Sequence, residues 1–131
     1  MMVVDASALV AILLDEEDGP DFREELLRAR TVHLSPVGYW EAAVRLQRFR
    51  GPAGVEDLDH LVRELNVEIA PATARTAAIA REAEARFGKR TSARLNLGDC
   101  FAYALAKELD APLLYKGADF PLTDVKSAFQ A

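Results

Sequence analysis

A chain of 131 residues that is 50% apolar can bury one core without staples but not two, so it reads as a single domain over residues 1–131. Its formal charge of −5 argues against holding nucleic acid by bulk positive potential, while leaving room for a locally basic groove or for metal ions that meet phosphates. The single cysteine, Cys100, rules out an intramolecular disulfide and suits a reducing compartment, by default the cytoplasm. No basic leader precedes Asp5, and the apolar run from Ala8 to Leu14 is too short to span a membrane.

Met2 to Val4 suits a short buried strand ending in Asp5, and Ser7 offers an N-cap for a helix over Ala8 to Leu14. Asp18-Gly19-Pro20 breaks the chain before a helix with Phe22, Leu26 and Leu27 on its apolar side. Val32 to Leu34 is a second strand. Ser35-Pro36 starts a helix carrying Val37, Trp40, Val44 and Leu46, which stops near Gly51-Pro52. A helix over Val55 to Leu65 and a strand over Val67 to Ala70 follow. Thr73 caps an alanine-rich helix to about Phe87, and Gly88 to Arg94 is a polar, basic loop. Leu97 to Leu109 is an apolar helix, Pro112 to Tyr115 a strand, Gly117 to Asp119 a turn, and Val125 to Phe129 a short terminal strand.

Strands separated by helices imply a mostly parallel sheet of four or five short strands between two helical layers, an α/β/α architecture. Ligands of such folds collect at the carboxyl edge of the sheet. Asp5 ends the first strand, Glu41 lies early in the helix leaving the second, Asp99 starts the helix that runs into the last clear strand, and Asp119 follows that strand. Topology therefore brings four acids to one crevice. A single Asp at a strand end is more often a turn or cap residue than a ligand, but joint placement is different. Like charges a few Å apart repel by roughly 4 kcal/mol per pair at an effective dielectric near 20, so the cluster calls for bound cations or raised pKa values. A divalent metal is the simpler explanation.

Four segments carry a resemblance to a known family: Val3-Val4-Asp5-Ala6-Ser7-Ala8-Leu9, Glu41 in its helix, Leu95-Asn96-Leu97-Gly98-Asp99-Cys100-Phe101-Ala102-Tyr103-Ala104-Leu105-Ala106, and Leu113-Leu114-Tyr115-Lys116-Gly117-Ala118-Asp119-Phe120. In order and spacing they resemble the PIN-domain ribonucleases, most closely the VapC-type toxins of toxin-antitoxin pairs, over nearly the whole chain. All four acidic positions of that family are occupied by Asp or Glu. The departure is Ala118, where some relatives carry another polar or acidic residue, so Asp119 is the only acid of its turn.

The resemblance implies a PIN-like fold and endonucleolytic cleavage of RNA dependent on Mg²⁺ or Mn²⁺, and carboxylate oxygens suit such hard cations. Asp5 and Asp99 are expected as direct ligands, with Asp119 completing the shell or binding a second ion. Glu41 is expected to orient or deprotonate the attacking water. Ser7 and Asn96 are candidates to fix the Asp5 and Asp99 carboxylates through hydrogen bonds, with plain helix capping as the competing reading of Ser7. Lys89, Arg90 and Arg94 are candidates for RNA phosphates, against an ordinary solvated charge run. Lys116 is expected to contact phosphate or carboxylate.

His33 and His60 lack a partner at metal-ligand spacing, and Cys100 reads as a small buried hydrophobe. Trp40, Phe101 and Tyr103 are expected in the core or a subunit contact, and Tyr39 and Tyr115 are weaker candidates for stacking on a base. The acids from Asp15 to Asp18 and from Glu56 to Asp59 are assigned to solvent, and Asp124 has a modest claim on the site. The competing functions are a receiver-like phospho-acceptor domain, which wants paired acids where Asp5 stands alone, and a phosphatase with an aspartyl nucleophile, which wants Asp where Ser7 stands. A third is a PIN-like binding module without catalysis. The resemblance further implies a homodimer and a cognate antitoxin that covers the site and itself binds DNA, with Leu13, Leu14, Leu26 and Leu27 as candidate contact residues.

Overall fold

A computed structural model describes residues 1–129. In chain order the elements are β1 (Met2–Val4), α1 (Ala6–Leu13), α2 (Gly19–Arg28), β2 (Val32–Leu34), α3 (Pro36–Arg50), α4 (Pro52–Glu64), β3 (Val67–Ile69), α5 (Ala74–Phe87), α6 (Leu97–Leu109) and β4 (Leu113–Leu114), followed by a 3₁₀ turn at Phe120–Leu122. The helix starts follow from local chemistry. Ser35 Oγ accepts from the Val37 amide with Pro36 in the first turn, Thr73 and Thr76 form a reciprocal capping box, and so do Asn96 and Asp99.

The sheet has the order β3-β2-β1-β4 with every pair parallel. Successive side chains of a strand point to opposite faces, and β1 uses both. Met2 and Val4 join Leu9, Phe22, Leu34, Leu46 and Leu58 under α1 to α4, while Val3 joins Leu113, Leu105 and Ala83 under α5 and α6. The result is three layers, α/β/α, with a core on each face of the sheet. From β1 the chain moves outward through β2 to β3, then returns across the sheet to place β4 on the other side of β1. The strand order reverses between β1 and β4, and a crevice opens at their carboxyl ends.

Several boundaries differ from the expectations. α1 starts at Ala6 because Asp5, not Ser7, is its N-cap, the Asp5 side chain accepting from the Ser7 amide. α4 starts at Pro52 rather than Val55, since Gly51 at φ 67° turns the chain within one residue and Pro52 is suited to the first helical turn. The Val125 to Phe129 strand is reduced to a single parallel bridge between Leu113 and Ser127. The Leu113 amide donates to Lys126 O at 2.8 Å and the Ala128 amide to Leu113 O at 2.9 Å, which covers the outer edge of β4 without extending it. Among the described residues no helix is long and apolar enough to cross a membrane.

Candidate active site

Asp5 is the buried member of the acid group, 4% exposed at the end of β1. Its backbone is locked by the Asp5 amide donating to Leu114 O of β4 at 2.8 Å. Its Oδ2 accepts both from the Ser7 amide at 3.0 Å and from Ser7 Oγ at 2.6 Å, so neither bond falls on Oδ1. Ser7 Oγ in turn accepts from the Lys116 amide at 2.9 Å, which leaves its own proton for Asp5. Ser7 thus holds the Asp5 carboxylate, as expected, and takes no part as the cap of α1.

Asp99 sits in the first turn of α6, partly in solvent. Its Oδ2 accepts from the Asn96 amide at 3.0 Å while Asn96 Oδ1 accepts from the Asp99 amide at 2.9 Å. Asn96 therefore orients the Asp99 carboxylate through its backbone amide, and its side chain serves the helix start. Glu41, one turn into α3, reaches the same place from the other helical layer. Its carboxylate lies against the first turn of α6 at Gly98, where an added Cβ would overlap it. Sequence reasoning quoted Gly98 but gave it no role; a glycine between a cap and a site acid is the signal that a side chain from elsewhere needs the space. Asp119 is exposed at the start of the 3₁₀ turn after β4.

The carboxylates of Asp5, Glu41 and Asp99 all have raised pKa values, and neighbouring carboxylates contribute to each. Burial, above all, pushes the Asp5 carboxyl up from 3.8 to about 6; the Ser7 bonds oppose this and the Asp99 charge adds to it. Burial and then the charges of Asp5 and Asp99 push Glu41 from 4.5 to about 7, with Arg45 pulling the other way. Asp99 is also raised, by burial first and by Asp119, against the Asn96 amide and Lys89. Acids raised first by burial and then by one another's charge form a group short of positive charge.

Oxygen is the one donor type these side chains offer, which matches hard divalent cations. Among the described residues no three acidic, histidine or cysteine side chains already close around a common point. The fit is therefore to an ion that keeps part of its water shell and takes one or two carboxylates, as Mg²⁺ does.

Other expectations resolve residue by residue. Lys116 Nζ contacts carboxylates, Glu16 at 2.9 Å and Asp18 at 3.1 Å, so these two acids of the α1–α2 turn are engaged rather than free in solvent. Lys89, Arg90 and Arg94 are exposed and form no ion pair among the described residues. The loop they occupy is pinned at its ends, the Leu95 amide donating to Phe87 O at 2.8 Å. Asp124 is drawn to the side of α6, accepting from Tyr103 Oη at 2.5 Å and pairing with Lys107 at 3.2 Å, and the Tyr103 ring is buried as expected. Tyr39 Oη donates to Asp59 Oδ1 at 2.5 Å, which engages an acid that had been assigned to solvent, and Tyr115 packs its ring 5.0 Å from Phe120; neither offers a free face like that of Trp40, which is 62% exposed. Of the four leucines proposed for subunit contact, Leu26 is buried, Leu13 and Leu14 pack on the core, and Leu27 alone is well exposed. Cys100 is buried, and burial pushes its thiol up to about 11.

The sequence profile of the PIN domain matches residues 2–126, and this chain belongs to that family. Its relatives include ribonuclease VapC28 of Mycobacterium tuberculosis strain H37Rv, 42% identical over 129 residues and covering 97% of both chains. Ribonuclease VapC of Mycolicibacterium smegmatis is 42% identical over 125 residues, 95% of this chain and 97% of its own. Among solved structures, VapC20 of M. tuberculosis, a toxin that cleaves the sarcin-ricin loop, superposes with a TM-score of 0.80 at 16% identity, covering 95% of this chain and 96% of its own. VapBC2 of Rickettsia felis, bound to a DNA fragment from its promoter, gives 0.74 at 15% identity over 96% and 95%. These two likenesses concern the fold. The family sets aside the receiver-like and aspartyl-phosphatase alternatives.

Proposed function

We propose that the chain is a Mg²⁺-dependent endoribonuclease of the VapC type, with Mn²⁺ as an alternative ion, acting as the toxin of a toxin-antitoxin pair. The observation that carries this reading is the convergence of Asp5, Glu41 and Asp99 from three separate elements, with burial and mutual repulsion raising all three pKa values. Full-length relatives that are ribonucleases at 42% identity support it. Asp5 and Asp99 hold the ion, each with one oxygen tied to a helix start, and Asp119 completes the shell or takes a second ion. A bound divalent cation lowers the pKa of water and offsets charge on the scissile phosphate. Glu41, at about 7, is suited to accept a proton from the attacking water near neutral pH. Lys89, Arg90 and Arg94 hold RNA phosphates beside Asp99.

The same reading assigns a cytoplasmic location, a homodimer, and a cognate antitoxin through which alone the protein meets DNA. The test is metal-dependent cleavage of RNA by the purified protein and by Asp5→Asn and Asp99→Asn. Cleavage is expected to need Mg²⁺ or Mn²⁺ and to fall in both variants by more than the roughly 100-fold that loss of an outer-shell partner brings. Undiminished cleavage in both would remove the site assignment; cleavage by none of the proteins with any metal would favour the catalytically silent binding module.

A further inference from the structure

The protein has 21 acidic and 16 basic residues, yet two of its acid-free stretches carry at least three basic residues each and border a site acid. Residues 85–98 hold Arg86, Lys89, Arg90 and Arg94 and end next to Asp99; residues 42–55 hold Arg45, Arg48 and Arg50 and begin next to Glu41. Asp99 and Glu41 are thus each flanked by an acid-free basic segment. The first includes the loop already assigned to RNA. The second is a helical surface whose arginines have had no role.

On α3, Glu41, Arg45 and Arg48 stand at i, i+4 and i+7, one stripe on one side of the helix. The stripe leads away from the acidic centre over roughly 11 Å of helix axis. Arg45 and Arg48 are exposed, and among the described residues neither has a carboxylate partner. Arg50, off the stripe, does: it pairs with Asp15 at 3.5 Å. Arg28 sits on Glu24 and Glu25 and Lys107 on Asp124, whereas Arg30, Arg63, Arg75 and Arg81 also lack a carboxylate partner among the described residues; what sets Arg45 and Arg48 apart is their place on the same helix stripe as Glu41. The charge of Arg45 reaches the Glu41 carboxylate, which links the stripe to the site electrostatically as well as by sequence.

We propose that the Arg45–Arg48 stripe of α3 binds successive phosphates of the single-stranded RNA substrate as it leaves the acidic centre. This rests on the ribonuclease reading and adds to it a second exit for the strand, on the α3 side, opposite in chain position to the basic loop before α6. A guanidinium with its donors unspent takes a phosphate bidentately, and a positive track running from a metal-dependent site is what a polyanionic strand requires. The exposed indole of Trp40, the neighbour of Glu41, is the protein's one tryptophan and reports on strand arrival.

The test uses Asp5→Asn protein, expected to hold RNA without cutting it, and a fluorescein-labelled single-stranded RNA oligonucleotide followed by anisotropy over a range of salt. Arg45→Gln/Arg48→Gln is expected to weaken binding roughly tenfold near 0.1 M salt and to lower the slope of log K against log salt by about 1.4, two phosphates at about 0.7 each. Arg45→Lys/Arg48→Lys should keep that slope, and Arg30→Gln, at the amino edge of β2, should change neither quantity. With active protein the double glutamine variant should raise KM and leave kcat near the parent value. An unchanged affinity and slope would overturn the proposal while leaving the Asp5 and Asp99 results to judge the ribonuclease reading by themselves. So would a change of molecular mass in sedimentation without a change in slope, which would assign the stripe to a contact between copies of the chain.

Discussion

Asp5 and Asp99 both stand at a helix start on the carboxyl edge, but Asp5 is the N-cap itself and 4% exposed, whereas Asp99 sits three residues past its cap Asn96 and keeps part of its carboxylate in solvent. In each, Oδ2 is occupied by the local hydrogen bonds, by Ser7 in one and by the Asn96 amide in the other. The difference lies in solvation. Asp5 is a charge taken out of water and held between β4 and α1, while Asp99 is a charge at a rim. A cation would therefore relieve the first far more than the second. The fold has put the larger electrostatic debt on the acid with the more rigid surroundings.

The comparison can be broken most severely at the point where Glu41 meets α6. Gly98→Ala places a methyl group where the Glu41 carboxylate lies, so cleavage should drop roughly 100-fold while the circular dichroism spectrum and Asp99's capping box persist. Gly98→Ala with parental cleavage rates would show that Glu41 acts from elsewhere. Ser7→Ala comes next. It removes the 2.6 Å bond on Asp5 and the acceptor for the Lys116 amide, and Mn²⁺ affinity read by calorimetry should fall about tenfold. An unaltered affinity would mean that the hydroxyl does not set the carboxylate.

Stability sharpens the contrast between the two aspartates. Asp5 has a folded pKa raised from 3.8 to about 6, so its protonated form favours the native state; the stability is fully present below pH 3.8 and is lost as pH rises through about 6. Two units correspond to roughly 3 kcal/mol. In EDTA at pH 7.5, Asp5→Asn should be more stable than the parent by about 1–3 kcal/mol in urea melts, and the gain should vanish near pH 4. Asp99→Asn, at the solvent rim, should gain less. Equal gains, or none, would contradict the difference in burial. Smallest of all, Lys116→Gln should leave RNA affinity and its salt slope unchanged, since Nζ is already held by Glu16 and Asp18; a reduced slope would return Lys116 to the substrate path.

What could be read from the sequence follows a physical pattern. The order of strands and helices was legible because Ser35-Pro36, Thr73 and Asn96 announce helix starts locally, and apolar runs such as Val32 to Leu34 announce buried strands. The gathering of Asp5, Glu41 and Asp99 followed from parallel topology alone. The partners of Lys116 did not, because Glu16 lies 100 residues away and ion pairs leave no periodicity behind. The cap of α1 was misplaced by two residues because Asp5 and Ser7 are both good caps, and only the strand register decides between them. The terminal strand failed because its segment meets β4, itself two residues long, and can bridge only at Leu113.

The Lys116 amide and Ser7 Oγ are joined across 109 positions of sequence, and the Asp5 amide reaches as far, to Leu114. During synthesis β1 is made well before β4 and stays without that neighbour until the 109 positions that separate Ser7 from Lys116 have been added. The carboxylate of Asp5 is consequently unsupported on the β4 side until then, and Asp119 joins it later still. The acidic site is therefore incomplete in any copy of the chain until β4 and the turn after it have been made and have docked, whatever has folded before them.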